Sequence, residues 1–126
     1  MPMPDYIDGF LLSVPKKHRA LYTKLAKKAG KVWMDHGALE YWECAGEDLK
    51  VKKVVSFVQA AKSKPGEMVV FSYIRFKSRR HRDAVNAKVM KDPRMLKMME
   101  SALDPFDMNR MVYGGFEAIV KLVAKE

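Results

Sequence analysis

Charge placed on strands is where this sequence holds chemistry. With side chains alternating between the two faces of a strand, Asp8 shares a face with Tyr6 and Phe10, and Glu43 shares one with Tyr41. By the same alternation Glu117 lies with Tyr113, and Arg75 with Phe71 and Tyr73. Charged groups are rarely fully buried unless they are paired. If these faces are covered, Asp8, Glu43 or Glu117 must meet Arg75, Arg110 or a tyrosine hydroxyl, or line a wet pocket. The plainer reading is a structural ion pair or a sheet-edge position. The sharper one is a ligand pocket drawn from Asp8, His36, Glu43, Arg75, Arg110, Tyr113 and Glu117.

The other reactive side chains carry less. Cys44 is the single cysteine and sits mid-strand beside Trp42. A catalytic thiolate needs a histidine or a helix N-terminus to lower its pKa, so the expectation is a buried structural thiol. His18, His36 and His81 offer no pair with metal-ligand spacing on one helix face, and neither metal nor cofactor is expected. His36 falls where a helix C-terminal dipole favours it, and His81, inside Arg79-Arg80-His81-Arg82, reads as solvated. Six of the ten methionines gather late, at Met90, Met95, Met98, Met99, Met108 and Met111. Core filling is the first reading of that cluster, and an adaptable binding surface the second.

The elements that position these groups follow from periodicity. A chain of 126 residues with 48% apolar content forms one domain, 1–126, with a single core. A β-prone run over 6–14 ends at Pro15. Leu21, Leu25, Ala29, Val32 and Trp33 then recur at helical spacing, and Gly37 follows as a helix stop. A second strand spans 38–45. A long connection, 46–66, includes a short helical turn near 57–61, and a third strand runs over 68–76. Ser78 caps a helix over 79–91, and Asp92-Pro93 opens a further helical turn with Met95, Met98, Met99 and Leu103 on its apolar side. After a loop at 104–107, the last strand runs over 110–123. Its Gly114-Gly115 pair marks a bulge or a close backbone approach. The order β-α-β-β-α-β predicts an α+β, ferredoxin-like fold, with two helices on one face of a four-stranded antiparallel sheet.

That order leaves one sheet face uncovered, yet the strands are apolar on both. In the first, Ile7 and Leu11 oppose Tyr6, Phe10, Leu12 and Val14; in the last, Met111, Tyr113 and Ile119 oppose Val112, Phe116 and Val120. A half-solvated sheet alternates apolar with polar. The expectation is therefore a homodimer closed sheet on sheet.

Several strings carry a resemblance. Tyr6-Ile7-Asp8-Gly9-Phe10, His36-Gly37-Ala38-Leu39, Asp92-Pro93-Arg94-Met95 and above all Arg110-Met111-Val112-Tyr113-Gly114-Gly115-Phe116-Glu117 resemble the YbaA-like family of bacterial proteins of unknown function. The resemblance runs in order over roughly residues 6–122 and implies a dimeric α/β barrel. It implies no activity and no catalytic residues. The chain departs from the family pattern in the basic segment 47–53 and in a lysine-rich first helix.

Charge completes the reading. The net charge is +9, and residues 15–34 hold seven Lys or Arg and no acid, while residues 77–97 hold eight against Asp83 and Asp92. Both stretches are helical, so the excess positive charge lies on helices. A solvated face is preferred over nucleic-acid binding, because the strands lack a base-stacking aromatic string. No apolar run is long enough to span a bilayer. The start of the chain lacks a secretory pattern, residues 1–5 lean towards disorder, and one cysteine fits the cytoplasm. The functional expectation is an uncharacterised homodimer, with room for a small apolar or aromatic ligand between sheet and helices. The alternatives are a cofactor-independent oxygenase or isomerase, by fold analogy alone, and a nucleic-acid or anion-binding module. An enzyme would need an acid or base from Asp8, His36, Glu43 and Arg110 inside a cavity.

Overall fold

A computed structural model describes residues 3–101 and 105–125 of the chain. Four strands, β1 (Tyr6–Pro15), β2 (Glu40–Ala45), β3 (Glu67–Phe76) and β4 (Val112–Glu117), form one antiparallel sheet in the order β2-β3-β1-β4. Helices α1 (Arg19–Asp35), α3 (Arg79–Lys91) and α4 (Pro93–Glu100) accompany it, and a single turn, α2 (Phe57–Ala60), lies in the connection between β2 and β3. The fold is α+β. Leu103 and Asp104 of the anticipated helix end and loop lie outside the described residues, as do Met1 and Pro2 of the N-terminus.

Local chemistry accounts for the boundaries. The Ser78 hydroxyl accepts from the His81 N–H at the start of α3. Asp92 accepts from the Arg94 N–H, with Pro93 as the first residue of α4. Gly37, at φ +111°, ends α1 in a conformation that side chains rarely adopt. Ser56 and Gln59 close a reciprocal capping box around α2.

The core lies between the sheet and the helices in two clusters. Val32, Ala38, Ile74, Phe76, Val85, Val89 and Met95 form one, and Leu12, Val14, Tyr22 and Val70 the other. On the opposite face the 46–66 connection covers only one end. Ser13 Oγ donates to the carbonyl of the fully buried Ala61 at 2.9 Å, and Phe57 packs edge-on against Phe71. Trp42, Phe71, Val112 and Phe116 remain exposed there.

The last strand is shorter than its apolar pattern predicts. The register runs from Leu11↔Val112 to Tyr6↔Glu117, where β1 begins, so residues beyond Glu117 have no ladder to join. The Ala118 N–H reaches back to the Asp5 carbonyl at 2.9 Å, and Lys121 pairs with the Asp5 carboxylate at 3.1 Å. Ile119 and Leu122 are 93% and 91% exposed. The paired glycines make no bulge, since the register passes through them. Gly115 instead permits a close approach, because a Cβ there would lie 2.4 Å from the Tyr6 hydroxyl.

Candidate functional site

Tyr41 and Glu43 alternate with Trp42 on β2 and turn towards α1. Gly30 lets the helix lie close over them, since a Cβ at that position would stand 2.7 Å from the Tyr41 ring. Tyr22, two turns earlier on α1, reaches the same point. Its hydroxyl donates to Glu43 Oε1 at 2.7 Å, and the Tyr41 hydroxyl donates to Oε2 at 2.7 Å. Burial first, and then the adjacent Glu43 charge, push both phenols far above the ordinary tyrosine range, so they remain donors.

Two hollows meet at this trio. One, of about 370 Å³, is bordered by Arg19, Thr23, Lys27 and Met68. The other, of about 360 Å³, is walled by Trp33, Met95, Met98, Phe106 and Met111. Tyr22, Ala26, Tyr41 and Glu43 belong to both. Aromatic contacts stiffen the second hollow, with Trp33 6.0 Å from Tyr41 and Phe106 edge-on to Tyr22 at 5.8 Å. Among the described residues, Glu43 is the one charged residue lining it. Such volumes suit a small organic molecule.

Asp8 has a different environment. It is 1% exposed, and Arg82 of α3 donates to its Oδ1 at 2.7 Å. Asn86 donates to Oδ2 at 3.3 Å and itself accepts from Trp33 Nε1 at 2.9 Å. The same guanidinium donates to the Tyr113 hydroxyl at 3.0 Å and stacks 4.8 Å over the Tyr6 ring. This is a packed knot. The anticipated partners Arg75 and Arg110 are not the ones used. Arg75 opposes Ile7 on the outer face, and α3 brings Arg82 over Asp8 instead.

The remaining candidates stand apart. Arg75 pairs with Glu40 and with Asp5. Arg110 forms a two-pronged pair with Glu67 at 2.7 and 2.6 Å, which holds the Glu67 carboxyl down at about 2. His36 meets Asp92 at 2.8 Å, and Arg94 together with His36 holds that carboxyl well below the usual range. Glu117 is exposed. The acid–base set that an enzyme reading requires is thus dispersed, and only Glu43 borders the hollows.

Two local expectations are overturned. Cys44 is exposed and not buried, because it points to the outer face, where Leu49 and Phe57 of the 46–66 connection border it and leave it open. His81 is partly buried and not solvated. Its Nδ1 accepts from the Lys77 N–H at 3.0 Å, its ring meets Phe76 edge-on, and burial pushes its pKa down. Among the described residues no three His, Cys, Asp or Glu gather as a metal-binding group, and no helix is long and apolar enough to cross a membrane.

Tyr22, Trp33 and Arg82 are site or partner residues that sequence reasoning missed. A signal existed for the first two, since Tyr22, Ala26, Ala29 and Trp33 recur at spacings of four, three and four. That pattern makes a small-residue trough between aromatic ends on one helix face.

Comparison with known proteins agrees with the strings noted in the sequence. The family described as "Protein of unknown function (DUF1428)" matches residues 5–108. The uncharacterized protein YbaA of Escherichia coli K12 is 44% identical over 115 residues, which cover 91% of this chain and 97% of that protein. YbaA of Shigella flexneri matches to the same extent.

Proposed function

The chain belongs to the DUF1428 family, whose function is unknown, and from that premise we propose that it is a homodimeric protein that holds a small apolar or aromatic ligand between α1 and the sheet. The observation that carries this reading is the Tyr22–Glu43–Tyr41 trio, a carboxylate kept by neutral phenols at the junction of two hollows. A carboxylate with charge to spare beside an apolar recess is an arrangement for recognition, whereas stability alone favours a closed ion pair.

Two further features support the assembly. The strand order β2-β3-β1-β4 with its helices fits a ferredoxin-like unit, the building block of dimeric α/β barrels. Trp42, Phe71, Val112 and Phe116 give the outer face an apolar surface of the kind a second copy covers. The exposed lone thiol of Cys44 fits a reducing compartment, and the cytoplasm is the setting we assign.

Native mass spectrometry of the purified protein tests both parts. The expected species has twice the 14.5 kDa chain mass and carries a retained small molecule. Ala26→Phe, which fills the space common to both hollows, should keep the dimer and lose that molecule. A monomer at micromolar concentration would sink the assembly. Unaltered ligand retention in Ala26→Phe would sink the placement of the site.

A further inference from the structure

The larger share of this protein's surface chemistry is cationic, and the Met-walled hollow runs against it. The net charge is +9, and α1, which forms one side of the hollow, carries lysines along its length. Yet among the described residues no Lys, Arg or His borders the hollow, and the charged residue that lines it is Glu43. Asp8, by contrast, has its own guanidinium. The Glu43 oxygens receive only the two phenolic hydroxyls, which are neutral, and a carboxylate with one donor on each oxygen still has lone pairs to offer. Among the described residues Glu43 thus has no ion-pair partner, and it lines a recess walled by aromatic rings and thioethers.

Those walls have a preference of their own. Trp33, Tyr41, Tyr22 and Phe106 surround the recess, and the negative faces of aromatic rings attract cations, most strongly where water is excluded. Methionine sulfur is polarisable and adapts to an apolar body of varied shape. An anionic head would meet Glu43 with no cation to offset it. A neutral ligand would fill the walls and leave the carboxylate unanswered.

We propose that the Met-walled hollow selects amines: a small apolar or aromatic molecule with a protonated ammonium head seated against Glu43 and its body between Trp33, Phe106 and the α4 methionines. This rests on the cavity reading given above and narrows it to one chemical class. The neighbouring hollow, bordered by Arg19 and Lys27, is where an acid would go instead.

The test is calorimetric titration of the dimer with three probes that share a phenyl body: 2-phenylethylammonium, 2-phenylethanol and 3-phenylpropionate. The ammonium should bind on the order of tenfold more tightly than the alcohol, with the carboxylate weakest. Glu43→Gln should erase the preference between ammonium and alcohol. Equal binding of ammonium and alcohol by the unaltered protein overturns the proposal while leaving the cavity reading intact, and so does tightest binding by the carboxylate. If none of the three binds at millimolar concentration, the amine assignment falls. A molecule retained in native mass spectrometry and lost in Ala26→Phe would then still uphold the cavity.

Discussion

Asp8 and Glu43 are carboxylates on the same face of the same sheet, two strands apart, and the protein treats them in opposite ways. Asp8 is sealed, with a guanidinium on one oxygen, an amide on the other and an aromatic ring behind the guanidinium. Glu43 has two phenols and open space on either side. The first arrangement cancels charge and excludes water, as a structural pair must. The second satisfies hydrogen bonds without cancelling charge, and it leaves volume. Burial alone does not mark a site; burial with unbalanced charge beside a hollow does.

The comparison breaks most visibly at Arg82. Arg82→Met keeps the length of the side chain and removes its charge, which leaves Asp8 buried and unpaired. The expected loss of unfolding free energy in urea is about 3–5 kcal/mol. The double variant Asp8→Asn with Arg82→Met should recover most of that loss, because no charge then remains to be solvated. A single variant within about 1 kcal/mol of the parent would mean that water reaches Asp8 and that the contrast with Glu43 is unfounded.

Much of this contrast was legible in the sequence, and its limits are physical. Strand alternation grouped Asp8 with Tyr6 and Phe10, and Glu43 with Tyr41, and the order of elements predicted the four-stranded antiparallel sheet; which face the helices cover was not legible. The tyrosine partner for Glu43 was among the anticipated kinds. Which helix residue would reach Asp8 was not legible, since α3 presents Arg79, Arg80 and Arg82 within one turn and only the docked angle selects Arg82. The overlong last strand failed for a similar reason. Its apolar alternation continues through Val123, but a strand needs a neighbour, and β1 starts at Tyr6. Cys44 was misplaced because buried cysteines are the rule for a face that is covered, and the 46–66 connection covers this one only in part.

A third carboxylate separates the two differences between Asp8 and Glu43. Glu67 has a charged partner like Asp8, but its pair with Arg110 lies at the beginning of β3, with the two side chains 10% and 15% exposed. Its folded pKa, about 2, lies below the 4.5 of an unperturbed glutamate, chiefly through the Arg110 hydrogen bonds. The stability it contributes is therefore complete above pH 4.5 and lost as pH falls towards 2. With allowance for screening by nearby water, that is about 2 kcal/mol. In urea titrations across this range Glu67→Gln should decline less steeply than the parent. Parallel curves would show that the pair adds nothing, and that closure, not charge pairing, is what stabilises Asp8.

The smallest expected effect lies at Glu43 itself, and its smallness is the point. Tyr22→Phe removes the donor to Oε1, and Tyr41→Phe removes the donor to Oε2. In a sealed site either change would strand a charged acceptor, at a cost of up to about 3 kcal/mol. Here a water molecule entering the adjoining hollow can replace the lost hydroxyl, so each variant should lose only about 1 kcal/mol in urea unfolding. Loss of both donors should weaken the hold on the Glu43 side chain and blur the preference for ammonium over alcohol without removing it, since the charge remains. A cost near that of Arg82→Met would show Glu43 to be as sealed as Asp8. The two hollows would then be gaps in packing and not places where a ligand sits.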